Sequence, residues 1–259
     1  MPFLGIDGGR IHYEVTGADQ VRTLVFSNSL GTDLAMWDAQ VAALDRDFRI
    51  VRYDTRGHGE SSVTPGPYTI DQLADDVITL FDHLGLDRVY FCGLSMGGMT
   101  AMSLALRAPQ RLHKIVLCST APKIGTAETW NTRSETVRKG GMAAIVDGVL
   151  QRWYTSGFRS SAPQAIESTR QTLLKTPVEG YIANCAAVRD ADMREAIRAI
   201  SVPTLIITGA HDPVTTPADG HFMEVRIAEA KYCELQAAHL SNIEAAAAFT
   251  NELSTFLRA

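Results

Sequence analysis

The sequence predicts an α/β protein: a mostly parallel β-sheet with helices on both faces, into which a helical segment is inserted. Three observations support this class. Strand and helix patterns alternate over the first 120 residues, as they do where crossover helices join parallel strands. Some of the strands are continuously apolar, which is typical of strands covered on both faces. Residues 123–199 then carry mostly helical signals and no convincing strand.

The strands are predicted from apolar patterning. In residues 10–16, Ile11, Tyr13 and Val15 alternate with polar side chains, whereas the strand predicted at residues 21–27 contains the continuous apolar run Leu24-Val-Phe26. The other predicted strands are short apolar runs, and they cover residues 48–53, 88–92, 114–119, 202–208 and 231–236. Because helical patterns lie between many of them, most neighbouring strands are expected to run parallel.

Three helices of the core are predicted from their stripes and boundaries. Residues 71–84 are apolar at positions 73, 77, 80, 81 and 84, which fall on one face of a helix. Asp71 is the expected N-cap of this helix, since a short carboxylate satisfies free backbone N–H groups there. Residues 96–108 form a second helix that Pro109 ends, and residues 245–257 form the closing helix.

The expected organisation is one core interrupted by one cap. Residues 1–122 and 200–259 form the core, and residues 123–199 form the helical cap. Residues 123–200 contain 11 Lys or Arg against 8 Asp or Glu, net +3, whereas the rest of the chain has 13 against 21, net −8. A basic cap over an acidic core favours an anionic ligand beneath the cap. The alternative is a charge imbalance confined to the surface.

Composition excludes several classes of protein. The 259 residues are 46% hydrophobic and 20% charged, which is unlike disordered, collagen-like or coiled-coil chains. A chain of this length buries enough surface to fold without a disulfide or a metal. The formal charge of −5 argues against nucleic acid as a partner, because phosphate binding requires a basic face. No run of 18 apolar residues occurs, so no membrane span is expected.

Cysteine usage and the N-terminus predict a cytoplasmic protein. The first residues lack the basic region and apolar stretch of a signal peptide. The cysteines have no CxxC spacing, so they are expected to be small core residues in a reducing compartment rather than zinc ligands; they are Cys92, Cys118, Cys185 and Cys233. We expect neither a metal nor another cofactor.

Ser95 is the predicted nucleophile. It is the centre of Gly93-Leu-Ser-Met-Gly97, with an apolar strand before it and a helix after it. This strand–turn–helix setting is that of a nucleophile elbow, whose small flanking residues let neighbouring backbone pass close by. The turn strains the serine backbone and exposes its hydroxyl at the carboxyl edge of the sheet. The alternative is a chance glycine-rich turn.

A serine hydroxyl needs a base to take its proton, and the expected chain order is serine, acid, histidine. His239 follows the last strand and precedes the last helix, so it is the predicted base. Asp212 follows the strand at residues 202–208 and is the predicted acid, because the other strand end that could supply one, near Ser119, has no carboxylate. The adjacent His211 is interpreted as a capping or packing residue.

Two backbone N–H groups are expected to form an oxyanion hole. One belongs to Met96, which follows the nucleophile. The other belongs to the loop after the strand at 21–27. When this loop is aligned through Trp37 with the loops of similar proteins, Leu30 falls at the donor position. Related loops usually begin with His-Gly, and Asn28-Ser29 stands in that place here.

A polar turn, Asp54-Thr-Arg-Gly-His-Gly-Glu-Ser61, follows the strand at 48–53. Asp54 and His58 are chemically able to take part in catalysis. The favoured interpretation is structural, with Asp54 and Arg56 holding a buried loop. The glycines of the turn allow left-handed backbone.

Together these features resemble the α/β-hydrolase superfamily over essentially the whole chain, which implies the α/β-hydrolase fold. Within it, four stretches resemble the 3-oxoadipate enol-lactonases of bacterial aromatic-compound breakdown, in the β-ketoadipate pathway. They are Ser27-Asn-Ser-Leu-Gly31, Tyr53-Asp-Thr-Arg-Gly-His-Gly59, Phe91-Cys-Gly-Leu-Ser-Met-Gly-Gly98, and Pro122-Lys-Ile-Gly125 continuing to Trp130 and Arg133. The Asn28-Ser29 pair and the Trp130/Arg133 spacing are the more specific features, since many esterases share the catalytic pattern.

The resemblance implies hydrolysis of a small anionic lactone through an acyl-enzyme. Such a substrate carries a carboxylate, which a guanidinium binds well. Arg133 is the expected partner, with Trp130 on the same helix face, and Trp153 is a further candidate for the pocket lining. For each of these residues the alternative is an ordinary cap position: Arg133 in solvent, and the tryptophans packed on the core.

Other functions share this pattern. A cap-bearing carboxylesterase or a carbon–carbon bond hydrolase has the same triad and differs in the pocket, and a cofactor-free perhydrolase uses the same scaffold. Ser95 excludes haloalkane dehalogenases and epoxide hydrolases, which carry aspartate at that position. A ligand receptor on this fold keeps the triad but turns over slowly, so its rate distinguishes it from an enzyme. The sequence leaves the oligomeric state open.

Overall fold

The computed structural model describes residues 2–17 and 22–259 of the chain. The strands found there are β1 (Phe3–Ile6), β2 (Gly9–Thr16), β3 (Thr23–Ser27), β4 (Arg49–Tyr53), β5 (Val89–Leu94), β6 (Leu112–Cys118), β7 (Thr204–Gly209) and β8 (Lys231–Leu235). They form one sheet in the order β1-β2-β4-β3-β5-β6-β7-β8. The first two strands are antiparallel and the other six are parallel, which confirms the predicted mostly parallel sheet.

Helices cover this sheet. Those of the described residues are α1 (Asp38–Leu44), α2 (Ile70–His83), α3 (Met96–Arg107), α4 (Ala127–Gly140), α5 (Val146–Trp153), α6 (Ser156–Ser161), α7 (Pro163–Lys175), α8 (Val178–Asp190), α9 (Pro217–Glu224), α10 (Ser241–Glu244) and α11 (Ala246–Arg258). Every residue of β3 and of β7 is buried, as a strand covered on both faces must be. Helix α2 packs against α3, and α1 packs against α11.

The predicted strands and helices are present, with small shifts at their ends. The predicted start of the second strand, Val21, lies outside the described residues. Strand β1 and helices α1, α9 and α10 were not predicted, because elements of four to eight residues are too short for a clear periodic signal. Strand β1 pairs antiparallel with β2, with Leu4 opposite Ile11.

The predicted N-cap of α2 is wrong. Thr69, not Asp71, caps the helix: its backbone is extended, and its side chain accepts a hydrogen bond from the backbone N–H of Gln72 at 3.0 Å. Asp71 is already helical and accepts a hydrogen bond from Ser103 Oγ at 2.6 Å. A residue two positions earlier therefore supplies the cap, because only that residue has the backbone geometry that capping requires.

The chain between β6 and β7 contains helices α4 to α8 and two short 3₁₀ helices, Met142–Ala144 and Ala196–Ala199. All of residues 119–203 are described, and none of them forms a strand. Helix α4 packs against α8, and α5 packs against α7. Across the described part of the chain, no helix is both long and apolar enough to cross a membrane.

Candidate active site

Ser95 sits in the one-residue turn between β5 and α3. Its backbone is left-handed, with φ 57° and ψ −115°, a conformation that costs free energy in any residue but glycine. The turn also forces close backbone approaches. A Cβ atom on Gly93 would lie 2.0 Å from the carbonyl oxygen of Gly97, and one on Gly97 would lie 2.2 Å from that of Ser27. The glycines at these positions are therefore a steric requirement of the turn.

The end of β6 holds the Ser95 backbone in this conformation. The Ser95 N–H donates to the carbonyl oxygen of Cys118 at 2.9 Å, and the Ser95 carbonyl accepts from Thr120 Oγ1 at 2.7 Å. The side chain lies at the carboxyl edge of the parallel strands, at the first turn of α3. Ser95 is 7% exposed, so only a ligand within the site reaches its hydroxyl.

Asp212 and His239 lie on the loops after β7 and β8. Their side chains are joined by a hydrogen bond of 2.7 Å between His239 Nδ1 and Asp212 Oδ2. Both are buried, His239 with 1% and Asp212 with 3% of its surface exposed. This bond leaves Nε2 as the ring nitrogen that can exchange a proton with a nucleophile.

Asp212 has further donors around it. Its Oδ1 accepts from the backbone N–H of Val214 at 2.7 Å and of Thr215 at 3.2 Å, and its Oδ2 accepts from Thr215 Oγ1 at 2.7 Å. Burial raises the pKa of this carboxyl, but the facing His239 ring and the hydrogen bonds more than offset that effect, so the pKa of Asp212 is lowered. The carboxylate is therefore ionised and fixed beside the imidazole.

Six of the eight predicted site residues line one small cavity, whereas Asp212 and Met96 are not among its lining residues. About 20 Å³ in volume, it is lined by Ser29, Leu30, Ser95, Ile124, Trp130, Arg133, Arg152, Trp153, Val188, Val214 and His239. This volume holds about one water molecule, so the lining side chains must shift when a larger ligand binds. No hydrogen bond of the described residues joins Ser95 Oγ to His239, which is common in unliganded sites, where catalytic contacts tighten on binding.

The two predicted oxyanion donors are free. No hydrogen bond of the described residues uses the backbone N–H of Leu30 or of Met96. Met96 is the first residue of α3, where the N–H groups have no partner within the helix. Leu30 lies on the cavity wall. Both N–H groups are therefore available to a ligand oxygen.

Side chains from three directions hold the loop that carries Leu30. Asn28 Nδ2 donates to the carbonyl oxygen of Tyr53 at 2.8 Å, and Asn28 Oδ1 accepts from Trp37 Nε1 at 3.0 Å. The Gly31 N–H donates to His58 Nε2 at 2.8 Å. The Asn28 bonds give a physical reason for asparagine at this position: it ties β4 and Trp37 to the loop through one side chain.

The polar turn after β4 supports this loop and does not line the cavity. Asp54 accepts from the backbone N–H of Leu34 at 2.8 Å and of Glu60 at 3.0 Å, and contacts His12 Nδ1 at 2.8 Å. Burial lowers the pKa of His58 to about 4, which keeps its ring neutral and able to accept the Gly31 N–H. These contacts favour the structural interpretation of Asp54 and His58.

The predicted cap residues lie on the cavity wall. Trp130 Nε1 donates to the carbonyl oxygen of Ile124 at 2.6 Å. The guanidinium carbon of Arg133 lies 5.0 Å from the centre of the Trp130 ring. The Trp153 ring is stacked 6.4 Å from the His239 ring. Both tryptophans are also buried in the hydrophobic core, so each has a packing role as well as a place in the cavity wall.

Sequence reasoning missed Arg152, which lines the same cavity next to Trp153. Two features of the sequence could have indicated Arg152: it directly precedes Trp153, which was already a predicted pocket residue, and it lies in the last turn of an amphipathic helix. Ser29, Ile124, Val188 and Val214 were also missed as lining residues. His211, which was interpreted as a capping or packing residue, is exposed. Among the described residues its backbone N–H donates to the carbonyl oxygen of Ala237 at 3.0 Å, and its side chain has no hydrogen-bond partner.

A second, outer pocket of about 290 Å³ adjoins the cavity. It is lined by Ile124, Gly125, Thr129, Trp130, Arg133, Arg152, Pro213 and Val214. Five of these residues also line the inner cavity. The two spaces therefore share part of their walls.

Known proteins resemble this chain over almost its whole length. Residues 22–246 match the model of the alpha/beta hydrolase fold family. The chain is 42% identical to 3-oxoadipate enol-lactonase 2 of Acinetobacter baylyi, over 96% of this chain and 93% of that protein. It is similar to the crystal structure of the enol-lactonase from Burkholderia xenovorans LB400, with a TM-score of 0.98, 46% identity and full coverage of both chains. It is also similar to a malate-bound esterase from Thermogutta terrifontis, with a TM-score of 0.92 and 30% identity over 96% of this chain and 93% of that one.

Proposed function

The chain belongs to the alpha/beta hydrolase fold family, and from this premise we propose that it hydrolyses 3-oxoadipate enol-lactone to 3-oxoadipate. One observation carries the proposal: Ser95, His239 and Arg133 line a single small cavity. A nucleophile, its base and a cation for a carboxylate are what this lactone requires. The 42% identity to an enol-lactonase supports the choice of substrate.

In the proposed mechanism Ser95 Oγ attacks the carbonyl carbon of the lactone ring. His239 Nε2 takes the hydroxyl proton as the carbon–oxygen bond forms, and Asp212 stabilises the resulting imidazolium. The hydrogen bond of 2.7 Å to Asp212 Oδ2 holds the ring in the tautomer and orientation that this transfer needs. Ser95, Asp212 and His239 are thus the proposed catalytic triad.

The negative charge that develops on the carbonyl oxygen goes to the backbone N–H groups of Leu30 and Met96. Neither group has another partner among the described residues. Donors fixed in advance stabilise a tetrahedral intermediate by about 3–4 kcal/mol each. Since the donor at Leu30 is a backbone group, the loop contacts of Asn28 and His58 control its position more directly than the Leu30 side chain does.

Collapse of the intermediate breaks the ring carbon–oxygen bond and leaves an acyl-enzyme on Ser95. The leaving oxygen stays tethered to the acyl group, takes the proton from the His239 imidazolium and so becomes an enol, which becomes a ketone by tautomerisation. Because an enolate leaves more readily than an alkoxide, protonation by His239 matters less in this step. Water, deprotonated by His239, then attacks the acyl carbon and releases 3-oxoadipate and free Ser95.

The helices α4 to α8 are proposed to act as a cap that binds the rest of the substrate. Arg133 would bind the carboxylate of the carboxymethyl group, and Trp130 and Trp153 would contact the ring and exclude water. The stack of Arg133 over Trp130 supports this assignment because it limits the orientations open to the guanidinium. The net charge of +3 on residues 123–200 favours an anionic substrate.

A cytoplasmic location is part of the proposal. All four cysteines are free thiols, including Cys92 and Cys118, whose sulfur atoms lie 3.7 Å apart. Unpaired thiols at this separation suit a reducing compartment.

The first test follows the ultraviolet absorbance of freshly generated 3-oxoadipate enol-lactone with the wild type and Ser95→Ala. We expect rapid loss with the wild type, and a rate at least about 1,000-fold lower with the variant, which should keep the wild-type circular dichroism spectrum. A variant retaining a tenth of the rate would exclude Ser95 as the nucleophile. Cleavage of 4-nitrophenyl acetate without loss of the lactone would instead favour a carboxylesterase.

A further inference from the structure

Arg152 occupies a position that the proposed mechanism leaves unused. It lies in the last turn of α5 and is half-buried. It lines both the inner cavity beside Ser95 and the outer pocket. Of the five side chains shared by the two spaces, Arg152 and Arg133 carry the only charges. Both spaces are therefore lined by two guanidinium side chains.

Within residues 2–17 and 22–259, neither guanidinium has an anionic partner. Among the residues that the structure describes, no carboxylate lies within 4.0 Å of the side-chain nitrogens of Arg133 or Arg152. Arg170, on the neighbouring helix α7, contacts Asp147 at 2.7 Å instead. Burial and then the charge of Arg133 lower the pKa of Arg152, so the two cations are close enough to repel each other.

This arrangement costs free energy until an anion binds. Two like charges that are partly removed from water repel, and neither recovers its lost hydration from a counter-charge. A carboxylate between them removes the repulsion and accepts hydrogen bonds from both, since its two oxygens offer about four acceptor sites. The free site is therefore complementary to an anion.

The position of Arg152 is tied to the catalytic histidine. The next residue, Trp153, stacks on His239 at 6.4 Å, and the carbonyl oxygen of Trp153 accepts from the N–H of Leu240 at 3.1 Å. Two contacts thus join the end of α5 to the loop that carries His239. Arg133 is held from the other side, on α4, over the Trp130 ring.

We infer that Arg152 is a second carboxylate-binding residue of the active site, and that it acts with Arg133 on the same carboxylate of the substrate. The inference rests on the proposed function and narrows its substrate class to short esters and lactones with a carboxylate away from the scissile bond. Two arginines on different helices also orient the carboxylate, and so direct the acyl carbon toward Ser95.

The test compares two esters that differ only at the end of the acyl chain. Mono-4-nitrophenyl glutarate ends in a carboxylate, and 4-nitrophenyl pentanoate ends in a methyl group. We expect Arg152→Gln to lower kcat/KM for the anionic ester about 10- to 100-fold more than for the neutral ester, the range for a lost charge-assisted hydrogen bond. Arg152→Lys keeps the charge and should recover part of the loss.

Arg138→Gln is the matched control. Arg138 is on α4, is exposed, and contacts Glu135 rather than the cavity. Both esters should be cleaved by this variant at wild-type rates. Circular dichroism checks the fold of each variant, and Arg152→Met replaces Arg152→Gln if the latter does not fold.

Equal losses on the two esters would overturn the inference, because they would mean that Arg152 only supports Trp153 and His239. Unchanged rates on both esters would overturn it as well. The proposed function is tested by a different result. If Arg152 favours the anionic ester but the wild type does not hydrolyse the enol-lactone, the inference about Arg152 stands and the proposed substrate is wrong.

Discussion

Ser95 adopts a backbone conformation that serine rarely takes, and contacts from a neighbouring strand hold it there. A left-handed non-glycine residue costs about 1–3 kcal/mol. The hydrogen bonds to Cys118 and from Thr120 offset that cost locally. The strained backbone of Ser95 thus directs its hydroxyl away from the edge of the sheet. A residue with ordinary strand geometry cannot present its side chain in this direction.

At the same scale, Asp212→Asn tests the role of the charge on the acid. The amide keeps the size of the side chain but cannot stabilise an imidazolium, and it favours the wrong histidine tautomer. We expect kcat to fall about 10³- to 10⁴-fold. Stopped-flow or steady-state hydrolysis of the enol-lactone measures this.

Asp190→Asn is the control for this change, because Asp190 is exposed and contacts Arg189 at 2.7 Å, away from the cavity. It should retain the wild-type rate. A loss below about tenfold in Asp212→Asn would remove Asp212 from the triad.

Arg133→Ala tests the first carboxylate contact. Removing this guanidinium should reduce kcat/KM for the anionic lactone about 10- to 100-fold more than for 4-nitrophenyl acetate, since only the lactone carries a charge to bind. Parallel kinetic measurements on the two substrates decide the point. If both rates fell by the same factor, Arg133 would have no part in carboxylate binding.

The start of helix α2 depends on backbone conformation as well as on the side chain. The N-cap residue needs both an extended backbone and a side-chain oxygen that can accept a hydrogen bond. Thr69 is extended and caps the helix, although Asp71 has an equally suitable oxygen. Thr69→Ala should lower the free energy of unfolding by about 1 kcal/mol. Urea denaturation measures this.

Thr79→Ala, at an exposed position of the same helix, is the matched control. Its hydroxyl bonds only to the carbonyl of Asp75 within the helix, so its loss should change stability by less than about 0.5 kcal/mol. Equal effects of the two changes would contradict the assignment of Thr69 as the cap.

The turn after β4 predicts a pH dependence of stability. The pKa of His58 is about 4 in the folded protein against 6.5 for an ordinary histidine. Between these values the unfolded chain binds the additional proton, so stability is full above pH 6.5 and falls as the pH drops toward 4. This group alone accounts for about 3 kcal/mol of that fall.

His58→Gln isolates this contribution, because glutamine keeps an acceptor and does not titrate. The decrease in unfolding free energy from pH 7 to pH 4 should be about 3 kcal/mol smaller in the variant than in the wild type. His211→Gln, at an exposed position, should keep the wild-type slope. A His58→Gln slope equal to that of the wild type would mean that His58 is not buried in neutral form.

For the whole molecule, the distribution of charge matters more than its total. The net charge of −5 repels an anionic substrate at long range, whereas the net +3 of residues 123–200 attracts it locally. We expect the local attraction to exceed the long-range repulsion. Because salt screens this attraction, kcat/KM for the lactone should fall about three- to tenfold between roughly 20 mM and 500 mM NaCl. The rate on 4-nitrophenyl acetate should change little.

The sign of this salt dependence distinguishes an effect of the overall negative charge from an effect of the local positive charge. Screening of a net negative protein would raise the rate on an anionic substrate, and screening of a positive site lowers it. A rate that rises with salt would show that the overall charge, and not the basic helices, governs encounter. Arg138→Gln, which removes one positive charge outside the cavity, should weaken the salt dependence only slightly.

The sequence alone was sufficient for the fold class and for most of the elements. Alternating apolar patterns are local, and they identify strands and helices wherever these are long enough to show a period. The strand–turn–helix setting of Ser95, and the places of Asp212 and His239 after their strands, are likewise readable in order along the chain. Parallel strands then bring their carboxyl ends to one edge, so these three residues were expected to meet.

Only the tertiary structure decided how distant segments meet. Arg152 and Arg133 are 19 positions apart on different helices, and nothing in their spacing indicates that they share a cavity wall. The bond from Gly31 to His58 and the cap at Thr69 depend in the same way on where the backbone lies in space. Periodicity reports which face of an element is apolar, but packing between elements determines which side chains meet across it, and those contacts carry the specificity of the site.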